Sequence, residues 1–100
     1  MSVYVMLTSL TDEGRKNTDE DPESLLEINK EVEYLGVKIL AQYALLGQYD
    51  FITILEAPNN EAVARLATRL SGKGTMQTLS MAAMKMADLI SALKTKESPW

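Results

Sequence analysis

Tyr49 and Asp50 are the neighbouring residues whose types could do chemistry. A carboxylate beside a phenol can move a proton or anchor a polar ligand, with the ring as donor or stacking face. The same pair also suits a hairpin, where aspartate bonds backbone amides and tyrosine packs across the strands. Little else in the chain is reactive. It has no histidine and no cysteine. That removes the commonest general base, the commonest transition-metal ligand, a thiolate nucleophile and any disulfide. No metal and no cofactor are expected, and no catalytic residue can be assigned.

Two other segments invite chemical readings. Gly72-Lys73-Gly74-Thr75 looks like a fragment of a phosphate loop. The full motif needs an earlier glycine and a strand-to-helix turn, so a helix stop is the better reading. Asp19-Glu20-Asp21, with Glu23, could hold a hard cation, but lacks the calcium-loop spacing and its central glycine. Acids at a helix start are explained by the helix dipole. Tyr4, Thr8, Gln42, Tyr43 and Gln77 are polar residues on otherwise apolar stretches. With Tyr49 and Asp50 they form the candidate ligand-binding set, because a small-molecule site is an apolar pocket holding a few polar groups. Met76, Met81, Met84 and Met86 cluster late in the chain and read as core or dimer packing.

The elements that would position these residues follow from periodicity. Residues 2–9 alternate as a strand, with Val3, Val5 and Leu7 on one side and Tyr4, Met6 and Thr8 on the other. Thr11-Asp12-Glu13-Gly14 reads as a turn or short helical start. A helix is expected from Asp21 as N-cap and Pro22 as first residue, with Leu25, Ile28, Val32 and Leu35 as its stripe and Gly36 as its stop. Val37–Leu46 and Tyr49–Glu56 read as a hairpin about a two-residue Gly47-Gln48 turn. Pro58-Asn59-Asn60 caps a second helix carrying Val63, Leu66, Ala67 and Leu70. A fourth strand runs from Thr75 to about Ala83, and a last helix carries Met86, Leu89, Ile90 and Leu93.

The order β-α-β-β-α-β plus a final helix is the split βαβ pattern. It predicts an α+β, ferredoxin-like sandwich with an antiparallel four-stranded sheet and an added C-terminal helix. Residues 1–94 are expected to form one domain, and 95–100, ending in Trp100, a polar tail. On the second strand Val37, Ile39, Ala41, Tyr43 and Leu45 make one alternating set, and Lys38, Leu40, Gln42, Ala44 and Leu46 the other. Both are largely apolar, yet the two main helices cover one face only. A second copy of the chain is the simplest cover for the other face, and the final helix an alternative one.

Charge narrows the partners. Residues 12–33 hold nine acids against three bases, within a chain of net charge −4. Without a basic stripe, nucleic acid and anionic membranes are not expected partners. The longest apolar runs are too short to cross a bilayer. Met1–Leu7 shows neither a basic leader nor a small-residue cleavage site, so the cytoplasm is the expected address.

Leu46-Gly47-Gln48-Tyr49-Asp50-Phe51-Ile52 followed by Glu56-Ala57-Pro58 resembles the signature of the GYD-domain family. Tyr4-Val5-Met6-Leu7-Thr8, then Leu10-Thr11-Asp12-Glu13-Gly14 and Asn17, is similar to its start, and Gly74-Thr75-Met76-Gln77-Thr78 with Ala83 to its end. The resemblance implies a ferredoxin-like fold paired as a dimeric α+β barrel, and specifies no activity. Gln77, Leu79 and Ala82 stand where members tend to carry polar or charged residues, and Leu45 where threonine is common. The expected function is a small-molecule binding or regulatory module that forms a homodimer or higher even oligomer. The alternatives are a cofactor-independent enzyme using Asp50, Tyr43 or Tyr4 in the sheet cleft, and an assembly protein with no ligand.

Overall fold

A computed structural model describes residues 1–95; the expected tail, apart from Thr95, lies outside the described residues. The elements are β1 (Ser2–Leu10), α1 (Asp12–Glu20), α2 (Ser24–Tyr34), β2 (Lys38–Ala44), β3 (Phe51–Ala57), α3 (Asn60–Ser71), β4 (Met76–Ala83) and α4 (Met86–Lys94). The strands form one antiparallel sheet in the order β2-β3-β1-β4, the ferredoxin-like arrangement. No helix of the described residues is long and apolar enough to cross a membrane.

Helices α2 and α3 lie on the same face of the sheet. Val32 of α2 and Val63, Leu66 and Leu70 of α3 are buried with Tyr4, Met6, Leu55, Ala57 and Met76 of the strands. The stripe read on each helix is therefore the stripe that packs. Gly36, at φ +82°, follows α2 in the left-handed conformation that suits glycine. Asn59 caps α3 by accepting the Ala62 N–H.

The first helical region differs from expectation. Asp12–Glu20 is a helix of its own, Asp21 is its C-cap, and Pro22 lies in the link before α2. Thr11 is the cap that starts it, its hydroxyl accepting the Gly14 N–H at 3.1 Å. Helix α1 has no apolar stripe to betray it; Gly14 is its one buried residue. That glycine lies against the Thr75 backbone, and a Cβ there would overlap the Thr75 carbonyl oxygen. Thr11 secures the same junction, with its N–H donating to Thr75 O at 3.0 Å and its hydroxyl to Gly74 O at 2.8 Å.

The hairpin is also wider than a two-residue turn. The Leu45 N–H donates to the Asp50 carbonyl at 2.8 Å, so Leu46-Gly47-Gln48-Tyr49 form a four-residue loop, with Gly47 at φ +116°. A bulge at Leu40, where the register shifts between Ile39 and Ala41, breaks the alternation expected of β2. Val37, Ile39, Gln42 and Ala44 take the helix side, and Lys38, Ala41 and Tyr43 take the other.

Cross-strand partners then define the helix-free face. Its rows are Tyr43–Ile52–Leu7–Leu79, Ala41–Ile54–Val5–Met81 and Lys38–Glu56–Val3–Ala83. Two are apolar from edge to edge, and Tyr43 is 63% exposed. Helix α4 does not cover them; none of its residues is buried, and it has no substantial contact with another element.

Gly14→Ala is expected to force α1 off the β4 lead and cost about 1–3 kcal/mol. Urea unfolding would show a lower midpoint at unchanged slope.

Candidate functional site

A cleft of about 210 Å³ opens between α2 and the β2–β3 side of the sheet. Its wall is mostly apolar, built from Leu25 and Ile28 of α2, Ile39 of β2, Phe51 and Leu55 of β3, and Met6 of β1. Four neutral polar side chains interrupt that wall: Thr8, Asn29, Gln42 and Thr53. Thr8 and Thr53 are deep, each 6% exposed.

The polar groups are connected. Asn29 Nδ2 donates to Gln42 Oε1 at 2.8 Å, and Gln42 Nε2 donates to Asn29 Oδ1 at 3.2 Å. The Gln42 amide also donates to Thr53 Oγ1 at 3.1 Å. This paired carboxamide bridges α2 to the sheet edge at the cleft's exposed side. The bulge at Leu40 makes the bridge, since unbroken alternation would have sent Gln42 to the opposite face. An apolar cleft with adjustable amide donors and acceptors suits a neutral ligand. Tyr43, the one ionisable residue in the wall, pairs with Ile52 in the helix-free row.

The other candidate residues are placed elsewhere. Tyr4 lies further along the helix side, its hydroxyl donating to Asn60 Oδ1 at the start of α3. It borders a second, more open hollow with Ala64, Ala67 and Ser80, where the buried Ser80 hydroxyl has no hydrogen-bond partner. Gln77 is opposite Ser9 on the helix-free face. Tyr49 is half-buried in the hairpin loop.

Asp50 binds the protein itself. Its Oδ2 accepts the Leu10 N–H at 2.7 Å, and its own N–H donates to the Thr8 carbonyl at 2.8 Å. Its carbonyl accepts from Leu45, and the Arg15 guanidinium lies 3.9 Å from Oδ2. One residue thus ties the ends of β1 and β2 to the start of β3. The structure brings Thr8 and Gln42 together in one cleft, with Tyr43 only bordering it from the helix-free row, and leaves Tyr4, Tyr49, Asp50 and Gln77 outside it. Asn29 and Thr53 were missed. Thr53 had a signal, as the lone polar residue within Phe51-Ile52-Thr53-Ile54-Leu55; Asn29, on a charged helix surface, had none. Among the described residues, no three acids gather as a metal site.

The GYD domain model matches residues 4–93, and the chain belongs to that family. A relative from Thermus thermophilus is 40% identical over 95 residues, which is 94% of this chain and all of the relative. It is named glutamine synthetase and cystathionine beta-lyase binding protein. Among solved structures, the crystal structure of FFRP-DM1 superposes with a TM-score of 0.58 at 20% identity, covering 84% of this chain and all of that one. That likeness supports the ferredoxin-like α+β fold.

Asp50→Ala is expected to cost about 1.5–3 kcal/mol, the range for a hydrogen bond to a charged group. Chemical denaturation measures the loss, and amide exchange at Leu10 should rise with it.

Proposed function

We propose that this chain is a small regulatory binding module that pairs with itself and docks onto metabolic enzymes in the cytoplasm. The observation that carries the reading is the end-to-end relationship to a relative at 40% identity whose name records enzyme binding. Counterparts of that relative's two enzymes, glutamine synthetase and cystathionine beta-lyase, are the first partners to try. The cleft under α2 takes a small uncharged molecule and gives the complex its regulation. Neutral lining side chains favour holding such a molecule over transferring protons to it. The proton-handling alternative draws no support from the positions of Asp50 and Tyr4, which lie apart and are already bonded.

Self-pairing through the helix-free face has its own support. Two complete apolar rows lie across four strands with no helix over them. A second copy related by a two-fold axis would cover both faces at once and close the assembly.

Immobilised protein is expected to retain glutamine synthetase or cystathionine beta-lyase from its own organism in surface plasmon resonance. If neither is held, with or without metabolite extract, enzyme docking is lost. Native mass spectrometry of the purified protein is expected to show an even oligomer carrying a small adduct that denaturation releases. Thr53→Val, which removes a deep cleft hydroxyl, should lower adduct occupancy severalfold while leaving the oligomer intact.

A further inference from the structure

Helix α4 is an amphipathic element with nothing to pack on. Met86, Leu89, Ile90 and Leu93 fall at the i, i+3, i+4, i+7 positions of one face. Met86 is 69% exposed and Leu93 75%. A helix of nine residues is too short to persist in water by propensity alone, so a stable α4 needs a surface for that stripe. Its own sheet does not supply one. Only Met84 and Lys85 separate β4 from α4, and the helix runs away from the domain rather than beneath the helix-free face.

Overall dimensions record the same thing. The radius of gyration is 16.1 Å, against about 13 Å for a compact domain of 100 residues. The accessible surface is 7238 Å², whereas a compact folded chain of this mass shows about 5,700 Å². The excess, on the order of 1,000 Å² or more, is what one partner contributes to a stable dimer.

The helix-free sheet face alone falls short of that need. Strands about 4.8 Å apart and alternate rows about 6.8 Å apart make it a patch on the order of 400 Å². A standard interface buries about 800 Å² per partner. The α4 stripe is exposed apolar surface adjoining that face, because β4 supplies the sheet's edge and leads directly into α4.

We infer that α4 is an exchanged arm: each chain's α4 lays its Met86/Leu89/Ile90/Leu93 stripe across the rim of the partner copy's helix-free face, clasping the sheet-to-sheet dimer. The inference rests on the proposed dimer and adds the element that locks it. Contact is reciprocal, with α4 of one chain against the strands of the other and the reverse, as a two-fold interface requires. The arm adds the missing area and covers the exposed edge of the face, which the flat contact of two sheets leaves wet.

The absence of cysteine makes the test clean. Two differently tagged full-length chains, one carrying Leu89→Cys and the other Leu79→Cys or Tyr43→Cys, are co-expressed and treated with a short bismaleimide. The expected product is a covalent heterodimer bearing both tags, formed at least tenfold faster than in mixtures with Glu61→Cys on the opposite side. Light scattering of untreated protein reads the dimer separately. A dimer with no interchain product from α4 overturns the arm and leaves the dimer standing. A monomer overturns both. Leu89→Glu with Leu93→Glu gives a second readout, and since neither residue is buried in the chain the domain should still fold. It should weaken dimerisation at least tenfold; an unchanged dissociation constant would also overturn the arm.

Discussion

Two cross-strand rows that are apolar from edge to edge, on the face of the sheet that no helix covers, are the constraint on which the rest of the molecule turns. An antiparallel sheet commonly gives one face to the core and the other to water. Here α2 and α3 occupy one side, and Val5, Leu7, Ile52, Ile54, Leu79 and Met81 fill the other. Among the described residues, no element of the chain covers that second face. The cleft under α2, by contrast, opens on the helix side, with Tyr43 at its margin. The proposed assembly face and the proposed binding cleft thus lie on opposite surfaces of one thin sheet, with β1 and β3 contributing alternate residues to each. A side chain change on one face can leave the other largely undisturbed.

The fold was legible where burial imposed a period. The stripes of α2 and α3, the four strands and the Gly36 stop follow from residues that meet the core or lie at its ends, and the final helix from an apolar stripe that meets none of it. Helix α1 was not legible as a full helix because it packs through a glycine and the backbone, leaving no apolar pattern. The width of the hairpin loop was hidden for a related reason. Gly47-Gln48 matches a tight-turn preference, but Asp50 commits its hydrogen bonds to β1 and so moves the strand boundary outward.

The candidate site was legible only in part. Thr8 and Gln42 stand out because polar residues on apolar strands require partners. Their convergence depends on a one-residue insertion in β2 that no alternation rule predicts. Thr53 follows from the same reasoning as Thr8, whereas Asn29 becomes meaningful only when α2 is docked over β2. Asp50 shows the opposite outcome. The residue with the most chemical promise by type serves as a brace, and the side chains that shape the cleft carry no charge.

The bulge at Leu40 has a consequence for the β2 edge as a template for further strands. A sheet with two bare edges, β2 and β4, carries unpaired backbone groups that template further strands and lead toward fibrous polymers. On β2 the extra residue interrupts the ladder midway, and an exposed Lys38 sits near its start. An incoming strand would meet a kink and a charge rather than a regular row of donors and acceptors. The same insertion that turns Gln42 toward the cleft therefore makes this rim a poor template for open-ended addition at the β2 edge.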